Sequence, residues 1–160
     1  MTTIAIDKNG LVAWDDRITE GNRYKATGDP KAIKTDRGNV FAAAGDHIDL
    51  YAYAEWWKSG AQETLYPFDR GIEYRMLILT EHSLATGHVY ETNNTQRANV
   101  MCVNLPHAIG SGIDFALAAM YCGRDAAEAV HVAAQFDVCT SANVCSLRLK
   151  EPVSDNDCPH

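Results

Sequence analysis

The feature that most constrains the fold is a pair of short apolar runs at the start of the chain. Residues 2–6 and 11–14 are mostly apolar and flank the polar segment Asp7-Lys8-Asn9-Gly10. Asn-Gly favours a tight hairpin turn because both residues tolerate positive φ. The sequence therefore predicts a β-hairpin over residues 2–14, which ties a segment that is usually loose into a sheet.

Hydrophobic patterning divides the rest of the chain into blocks of strands and helices. Strands are predicted at residues 39–44, 76–80, 83–90, 100–103 and 142–149, with a loop at residues 59–75. The first predicted helix spans residues 46–58, with Asp46 as its cap and Gly60 just past its end. A second helix is predicted at residues 113–120, with Gly123 as its stop. A third helix is predicted to begin after a capping box at Asp125. Separate blocks of strands and helices favour an α+β fold with mostly antiparallel sheets.

Length, composition and charge limit the classes of protein. A chain of 160 residues with 46% hydrophobic residues suffices for one domain with its own core. We expect this domain at residues 1–150 and a polar tail at residues 151–160. The net charge of −7, without a Lys/Arg cluster, argues against nucleic acid as a partner. No run reaches the roughly 18 apolar residues of a membrane span, and no basic stretch leads into an apolar one near the N-terminus, so neither a membrane partner nor a signal peptide is expected.

The chain has five cysteines, at positions 102, 122, 139, 145 and 158. An odd, scattered set is a poor disulfide framework, and Cys139 and Cys145 lack the usual spacing of zinc ligands. We therefore predict reduced thiols, mostly small core residues, in a cytoplasmic protein. The histidines form neither a His-Glu-x-x-His pattern nor a cluster, and the sequence has no glycine-rich phosphate loop, so no metal or cofactor is predicted.

Two further chemistries use the side chains alone. A serine triad lacks its G-x-S-x-G elbow, because Ile109-Gly110-Ser111-Gly112 has no glycine in the first position, and Ser111 equally suits a helix N-cap. The other chemistry is that of an N-terminal threonine, since removal of Met1 gives Thr2 a hydroxyl and a free amine on one residue. That amine has a pKa of about 7.7–8.0 and accepts the hydroxyl proton directly or through water. A small residue at position 2 favours removal of Met1 by methionine aminopeptidase.

Several segments resemble a known family in the same order along the chain. Met1-Thr2-Thr3-Ile4, followed by the hairpin and by Asp15-Asp16-Arg17-Ile18-Thr19, resembles the start of a proteasome β-type subunit. The nearest parallel is the peptidase of the bacterial heat-shock ring protease, with its smaller bacterial and phage homologues. Further matches are Asp29-Pro30-Lys31-Ala32-Ile33, Val40-Phe41-Ala42-Ala43-Ala44-Gly45-Asp46, Ala108-Ile109-Gly110-Ser111-Gly112 and Phe136-Asp137-Val138-Cys139-Thr140. Each match is weak alone, but together they span residues 2–140.

The resemblance implies a set of site residues. Thr2 is the nucleophile and its own amine is the base, while Asp15 and Lys31 adjust the charge at the site, with Lys34 as the alternative lysine. In this family Ser111, Asp137 and Thr140 match the residues that orient the amine and a water. The backbone amide of Ala42 matches the group that binds the oxyanion, and Thr19 matches the position whose backbone pairs with an extended peptide.

The resemblance also implies a fold and a function. The fold is a four-layer αββα sandwich of the N-terminal nucleophile (Ntn) hydrolases, and the function is that of a threonine-type peptidase active after removal of Met1. The same resemblance implies a homo-oligomer, and in this family the oligomer is a ring that an unfoldase ATPase can serve. The loop at residues 59–75 replaces a helix that makes ring contacts in larger members, so ring size and ATPase docking stay open. Trp14 is bulkier than usual there and either narrows the cleft or fills the core.

Two alternative functions fit the same resemblance. One is a small-molecule amidase that uses the same nucleophile. The other is a catalytically inactive ring or structural protein, which retention of Met1 favours because the amine of Thr2 is then blocked.

Overall fold

A computed structural model describes residues 2–20, 23–26, 30–45, 50–60, 74–80, 83–92 and 95–149. The strands are β1 Thr3–Ile6, β2 Leu11–Asp15, β3 Arg17–Glu20, β4 Arg23–Ala26, β5 Ala32–Lys34, β6 Val40–Gly45, β7 Tyr74–Leu79, β8 Leu84–Thr92, β9 Thr95–Cys102, β10 His107–Gly110 and β11 Val144–Arg148. The helices of the described segments are α1 Leu50–Lys58, α2 Ile113–Tyr121 and α3 Ala126–Phe136.

The described strands form two larger sheets and one two-stranded ribbon. The first sheet has the order β10-β1-β2-β11, the second has the order β5-β6-β7-β8-β9, and β3 pairs with β4. Every pairing is antiparallel. With the three described helices, this architecture confirms the predicted α+β class with antiparallel sheets.

The predicted N-terminal hairpin is confirmed. Its turn closes through hydrogen bonds from the Asp7 amide to the Leu11 carbonyl and from the Gly10 amide to the Asp7 carbonyl, each 3.1 Å long. Gly10 has a φ of 72°, the left-handed conformation that glycine adopts without steric cost. The Asp7 side chain also accepts from the amides of Asn9 and Leu11. The polar turn residues therefore satisfy the backbone that joins β1 to β2.

Side chains of β1 and β2 alternate between two different cores. Ile4 and Ile6, with Val12 and Trp14, pack into a cluster that the second sheet completes through residues such as Leu77. Successive residues of a strand point to opposite faces, so Ala5 and Ala13 pack instead against α2 and α3. Only 7% of the surface of Trp14 is exposed, so it fills the core between the sheets.

The other face of the second sheet is covered by α1. Phe41 and Ile78 pack against Leu50 and Tyr53 of this helix. The rings of Phe41 and Tyr53 meet edge to face with centroids 5.4 Å apart, a favourable aromatic geometry. Apolar clusters thus lie between the two sheets and between each sheet and its helices.

Most predicted elements are confirmed, and the missed ones are short. The strands predicted at residues 39–44, 76–80, 83–90, 100–103 and 142–149 appear as β6, β7, β8, β9 and β11, and all three predicted helices are present. The sequence did not predict β3, β4, β5 or β10, because runs of three or four residues carry too little periodicity. Asp46, most of the loop at residues 59–75 and the tail at residues 151–160 lie outside the described residues.

The prediction of reduced thiols holds for three of the four described cysteines and is wrong for Cys102, and the prediction that they are mostly core residues is wrong. Cys102 is disulfide-bonded. Cys122 and Cys145 are exposed, and Cys139 is partly exposed, all three with free thiols. Pairing depends on the distance between Cβ atoms in the folded chain, which the spacing of cysteines in the sequence does not give.

In the part of the chain that the structure describes, no helix is long and apolar enough to cross a membrane.

The predicted capping box at the start of α3 gives a test of local stability. The Asp125 side chain accepts from the Glu128 amide at 2.8 Å, and the Glu128 side chain accepts from the Asp125 amide at 3.3 Å. Asp125→Ala should lower the free energy of unfolding by about 1 kcal/mol, because the Glu128 amide loses its partner. Urea denaturation followed by circular dichroism measures this. Gln135→Ala, at an exposed position near the other end of α3, is the control, and equal midpoints for the two variants would contradict the assignment.

Candidate active site

The pairing of β1 with both of its neighbours brings distant segments to the start of this strand. Thr3 lies opposite Gly110 of β10, and Ile4 lies opposite Trp14 of β2. Because both pairings are antiparallel, the ends of β2 and β10 lie beside the start of β1. Thr2 therefore has the end of each neighbouring strand next to it.

The side chain of Thr2 has its hydroxyl between a carboxylate and an ammonium. Thr2 Oγ1 donates to Asp15 Oδ1, and Lys31 Nζ donates to Thr2 Oγ1. Lys31 Nζ also lies 3.1 Å from Asp15 Oδ1 in an ion pair. Thr2 is 4% exposed and Asp15 is fully buried, so this triangle of groups is largely shielded from bulk water.

The buried carboxylate of Asp15 has donors on both oxygens. Oδ1 also accepts from the Thr3 amide at 2.8 Å. Oδ2 accepts from the Arg17 amide at 3.1 Å and from the Ser141 amide at 3.3 Å. A buried charge is tolerated only when it is paired and hydrogen-bonded, and these donors together with Lys31 meet that requirement.

Lys31, and not the alternative Lys34, lies at the site. Burial lowers the pKa of Lys31 below its usual value, and the neighbouring Asp15 carboxylate offsets this only in part. Its ammonium also donates to the carbonyl of Arg17. Lys34 is exposed and donates to the carbonyl of Arg148 at 2.9 Å instead.

On the other side, Ser111, Asp137 and Thr140 form one hydrogen-bonded group. The Ser111 amide donates to the carbonyl of Thr2 at 2.9 Å. The hydroxyls of Ser111 and Thr140 both donate to Asp137 Oδ2 at 2.6 Å. The N-cap of α2 is Gly112, without a side-chain cap. The alternative interpretation of Ser111 as a helix N-cap is therefore wrong, because its hydroxyl is directed to Asp137.

Asp137 is held in its ionised form. Burial raises its pKa, but hydrogen bonds from the hydroxyls of Ser111 and Thr140 and from the Cys139 amide, together with the positive charge of the N-terminal amine, outweigh burial, so the pKa lies below the usual value. The amide contact to Oδ1 is 3.1 Å long. The group around Thr2 thus contains two carboxylates, Asp15 and Asp137, and one buried ammonium.

The two glycines around Ser111 allow the close approach of this turn to β1. Gly110 has a φ of 102°, and a Cβ there would lie 1.8 Å from the carbonyl oxygen of Thr2. A Cβ at Gly112 would lie 2.3 Å from Thr3 Oγ1. Contacts below 3.0 Å are sterically excluded, so only glycine fits at both positions. The Gly-Ser-Gly sequence therefore has a direct steric reason in this fold.

Ala42 lies in the strand beside the segment that carries Lys31, but its amide is directed to the other edge of that strand. It lies inside β6, opposite Ala32 of β5 and Leu77 of β7. The amide of Ala43 donates to the carbonyl of Lys31 at 3.1 Å, on the β5 side. Since successive amides of a strand point to opposite edges, the Ala42 amide points towards β7. The direction of the Ala42 amide therefore does not support its predicted role in binding an oxyanion.

Thr19 lies in the β3–β4 ribbon. Its backbone is opposite that of Tyr24, and its side chain lies outside the described residues. Among the described strands β3 pairs only with β4. One edge of β3 therefore has no strand partner in the described part of the chain.

Sequence reasoning missed three residues that complete the site. Thr3 contacts both carboxylate networks, while Arg17 and Ser141 donate backbone amides to Asp15. A threonine in an apolar strand was a signal for Thr3, but backbone donors leave no mark on side-chain patterns. No group of three or more His, Cys, Asp and Glu side chains suited to a metal occurs among the residues that the structure describes.

Comparison with protein-family models finds no matching family, and comparison with curated protein sequences finds no significant match.

Replacement of Asp137 by asparagine tests the charge at this position. Asparagine offers one acceptor and one donor group, so either orientation places its NH₂ against a hydroxyl or amide donor. Asp137→Asn should lower the free energy of unfolding by about 1–3 kcal/mol at neutral pH.

The same variant makes a prediction about pH. A carboxyl whose pKa is lower in the folded chain stabilises it above the usual pKa of 3.8, and this contribution is lost as the pH falls through the folded value. The gap between wild type and Asp137→Asn should therefore close in acid, as measured by urea denaturation across pH. The exposed Asp114→Asn is the control. A gap that is constant across the acid range would contradict the lowered pKa.

Proposed function

We propose that the chain is a threonine-type Ntn peptidase, active after removal of Met1, on a four-layer αββα sandwich. The observation that carries this proposal is the position of Thr2 Oγ1, which contacts both Asp15 and Lys31. A threonine hydroxyl is a weak nucleophile and needs activation by neighbouring groups. Such groups converge on the second residue of the chain, where processing would add a free amine.

The proposed reaction balances as a two-step hydrolysis. The free amine of Thr2 takes the proton from Oγ1, directly or through water, as Oγ1 attacks the carbonyl carbon of a peptide bond. The C–N bond breaks, the proton passes to the departing amine, and the acyl group stays on Oγ1 as an ester. A water then attacks the ester carbonyl, which releases the carboxylic acid and restores the hydroxyl.

The surrounding charges support this sequence of steps. The ammonium of Lys31 lies against Thr2 Oγ1, where negative charge develops when the proton leaves, and Asp15 holds the ammonium in place. On the carbonyl side of Thr2, Ser111 and Asp137 provide a hydroxyl and a carboxylate to orient the amine and a water. Both arrangements exist before substrate binds, so little reorganisation is needed.

The proposed substrate is an extended peptide. The edge of β3 that lacks a strand partner among the described residues suits addition of a peptide strand, with Thr19 as the pairing position. A homo-oligomeric or ring assembly and an unfoldase ATPase partner are proposed from the family resemblance alone. The small-molecule amidase is the competing proposal, and a screen of matched peptides and simple amides separates the two.

Replacement of Thr2 tests the nucleophile. Thr2→Ala should reduce peptide turnover by at least about a thousandfold, because no hydroxyl remains to attack. Thr2→Ser keeps the hydroxyl and a small second residue, so it should retain measurable turnover. Intact mass spectrometry must show loss of Met1 in every chain that is compared. Turnover in processed Thr2→Ala, or retention of Met1 in an active wild-type chain, would contradict the mechanism.

Lys31 and Lys34 form a matched pair for testing the electrostatic role. Lys31→Met should lower turnover by about a hundredfold, since a preorganised charge next to Oγ1 is lost. Lys34→Met removes the same charge from an exposed position and should leave turnover within about twofold of wild type. Steady-state kinetics on processed chains measures both variants. Equal losses would show that net charge, rather than position, matters.

A further inference from the structure

Thr3 is fully buried and makes polar contacts on both sides of the site. Its amide donates to Asp15 Oδ1 at 2.8 Å. Its hydroxyl oxygen lies 2.6 Å from Thr140 Oγ1 and accepts from the Gly112 amide at 3.1 Å. The family resemblance assigns this residue no role, and the proposed reaction does not use it.

The directions of these hydrogen bonds follow from the number of hydrogens. The carboxylate of Asp137 only accepts, so Thr140 must give it the single hydrogen of its hydroxyl. In the contact between the two threonines, Thr3 is therefore the donor. The chain runs from the Gly112 amide to the Thr3 hydroxyl, then to the Thr140 hydroxyl, and ends on Asp137 Oδ2.

Each hydroxyl of this chain accepts one hydrogen bond and donates one. A hydroxyl that accepts a hydrogen bond becomes a better donor, so Thr3 strengthens the bond from Thr140 to Asp137. Ser111 donates to the same carboxylate oxygen at 2.6 Å, and its hydroxyl lies 3.4 Å from the carbonyl oxygen of Thr2. The position of Asp137 thus depends on both hydroxyls.

We propose that Thr3 is a positioning residue, whose hydroxyl fixes Thr140 and Asp137 relative to Thr2. Its amide ties the same residue to Asp15, so the start of β1, directly after Thr2, is anchored to both carboxylates. The hydrogen-bond part of this proposal stands on the contacts themselves. Only its effect on catalysis rests on the proposed peptidase function.

Thr3→Val tests the chain because valine has the shape of threonine without the hydroxyl. The pKa of Asp137 should rise towards its usual value in this variant, since Thr140 loses its donor, whereas Thr3→Ser should keep the wild-type pKa. NMR titration of ¹³C-labelled aspartate carboxyls measures this without any need for activity. The N-terminal amine also lowers the pKa of Asp137, and both variants retain it, as they retain Arg17, which donates to the nearby Val138 carbonyl.

Thr140→Val breaks the same chain one step nearer to Asp137 and should raise its pKa at least as much. This second variant keeps the test decisive if Thr3→Val does not fold. An Asp137 pKa that is unchanged in the folded valine variants would overturn the proposal.

Kinetics then tests the link to catalysis. In processed chains Thr3→Val should lower kcat about tenfold with little change in KM and should shift the pH profile, while Thr3→Ser restores both. A lower Tm with unchanged kcat and pH profile would reduce Thr3 to a structural residue and overturn the positioning role. A raised Asp137 pKa in chains that lack peptidase activity even as wild type would support the hydrogen-bond chain and contradict the proposed function.

Discussion

The site depends on the hydrogen bonds and the ion pair that surround the buried carboxylate of Asp15. This carboxylate carries a charge at a position with no exposed surface, which is costly unless donors surround it. Those donors come from the start of β1, from Arg17, from Lys31 and from Ser141. Four segments far apart in the sequence are thereby held at one point. Removing any of them leaves the charge less compensated, so the geometry around Thr2 is tied to the stability of the fold.

Strand alternation explains why two threonines stand next to each other. Thr3 faces the α2 and α3 side, where a Cβ at Gly112 would meet both its hydroxyl and Ala133. The Thr2 hydroxyl instead contacts Asp15 and Lys31. One strand thus supplies consecutive hydroxyls to two separate networks, one with an ammonium and one that ends on Asp137. The alternation of side chains at the start of β1 therefore directs the two hydroxyls to different networks, whatever the function of the site.

Local patterns were predictable from sequence, whereas choices that depend on the packing of strands were not. The Asn9-Gly10 turn and the Asp125 capping box are encoded within a few residues, and both are confirmed. The choice between Lys31 and Lys34 depends on where the three-residue strand β5 begins, and the direction of the Ala42 amide depends on the order of strands in the sheet. The link between Thr3 and Thr140 joins residues that no local pattern relates. These outcomes need the tertiary structure.

The contacts of Thr2 also bear on how processing would act. They involve its hydroxyl, held by Asp15 and Lys31, and its carbonyl oxygen, held by the Ser111 amide. None of these contacts uses the backbone nitrogen of Thr2. In the proposed mechanism, removal of Met1 therefore converts an amide nitrogen into an amine without breaking the interactions that position the hydroxyl. The side chains around Thr2 are already fixed by their own partners before Met1 is removed. In the proposed mechanism the site therefore needs no further folding after that cleavage.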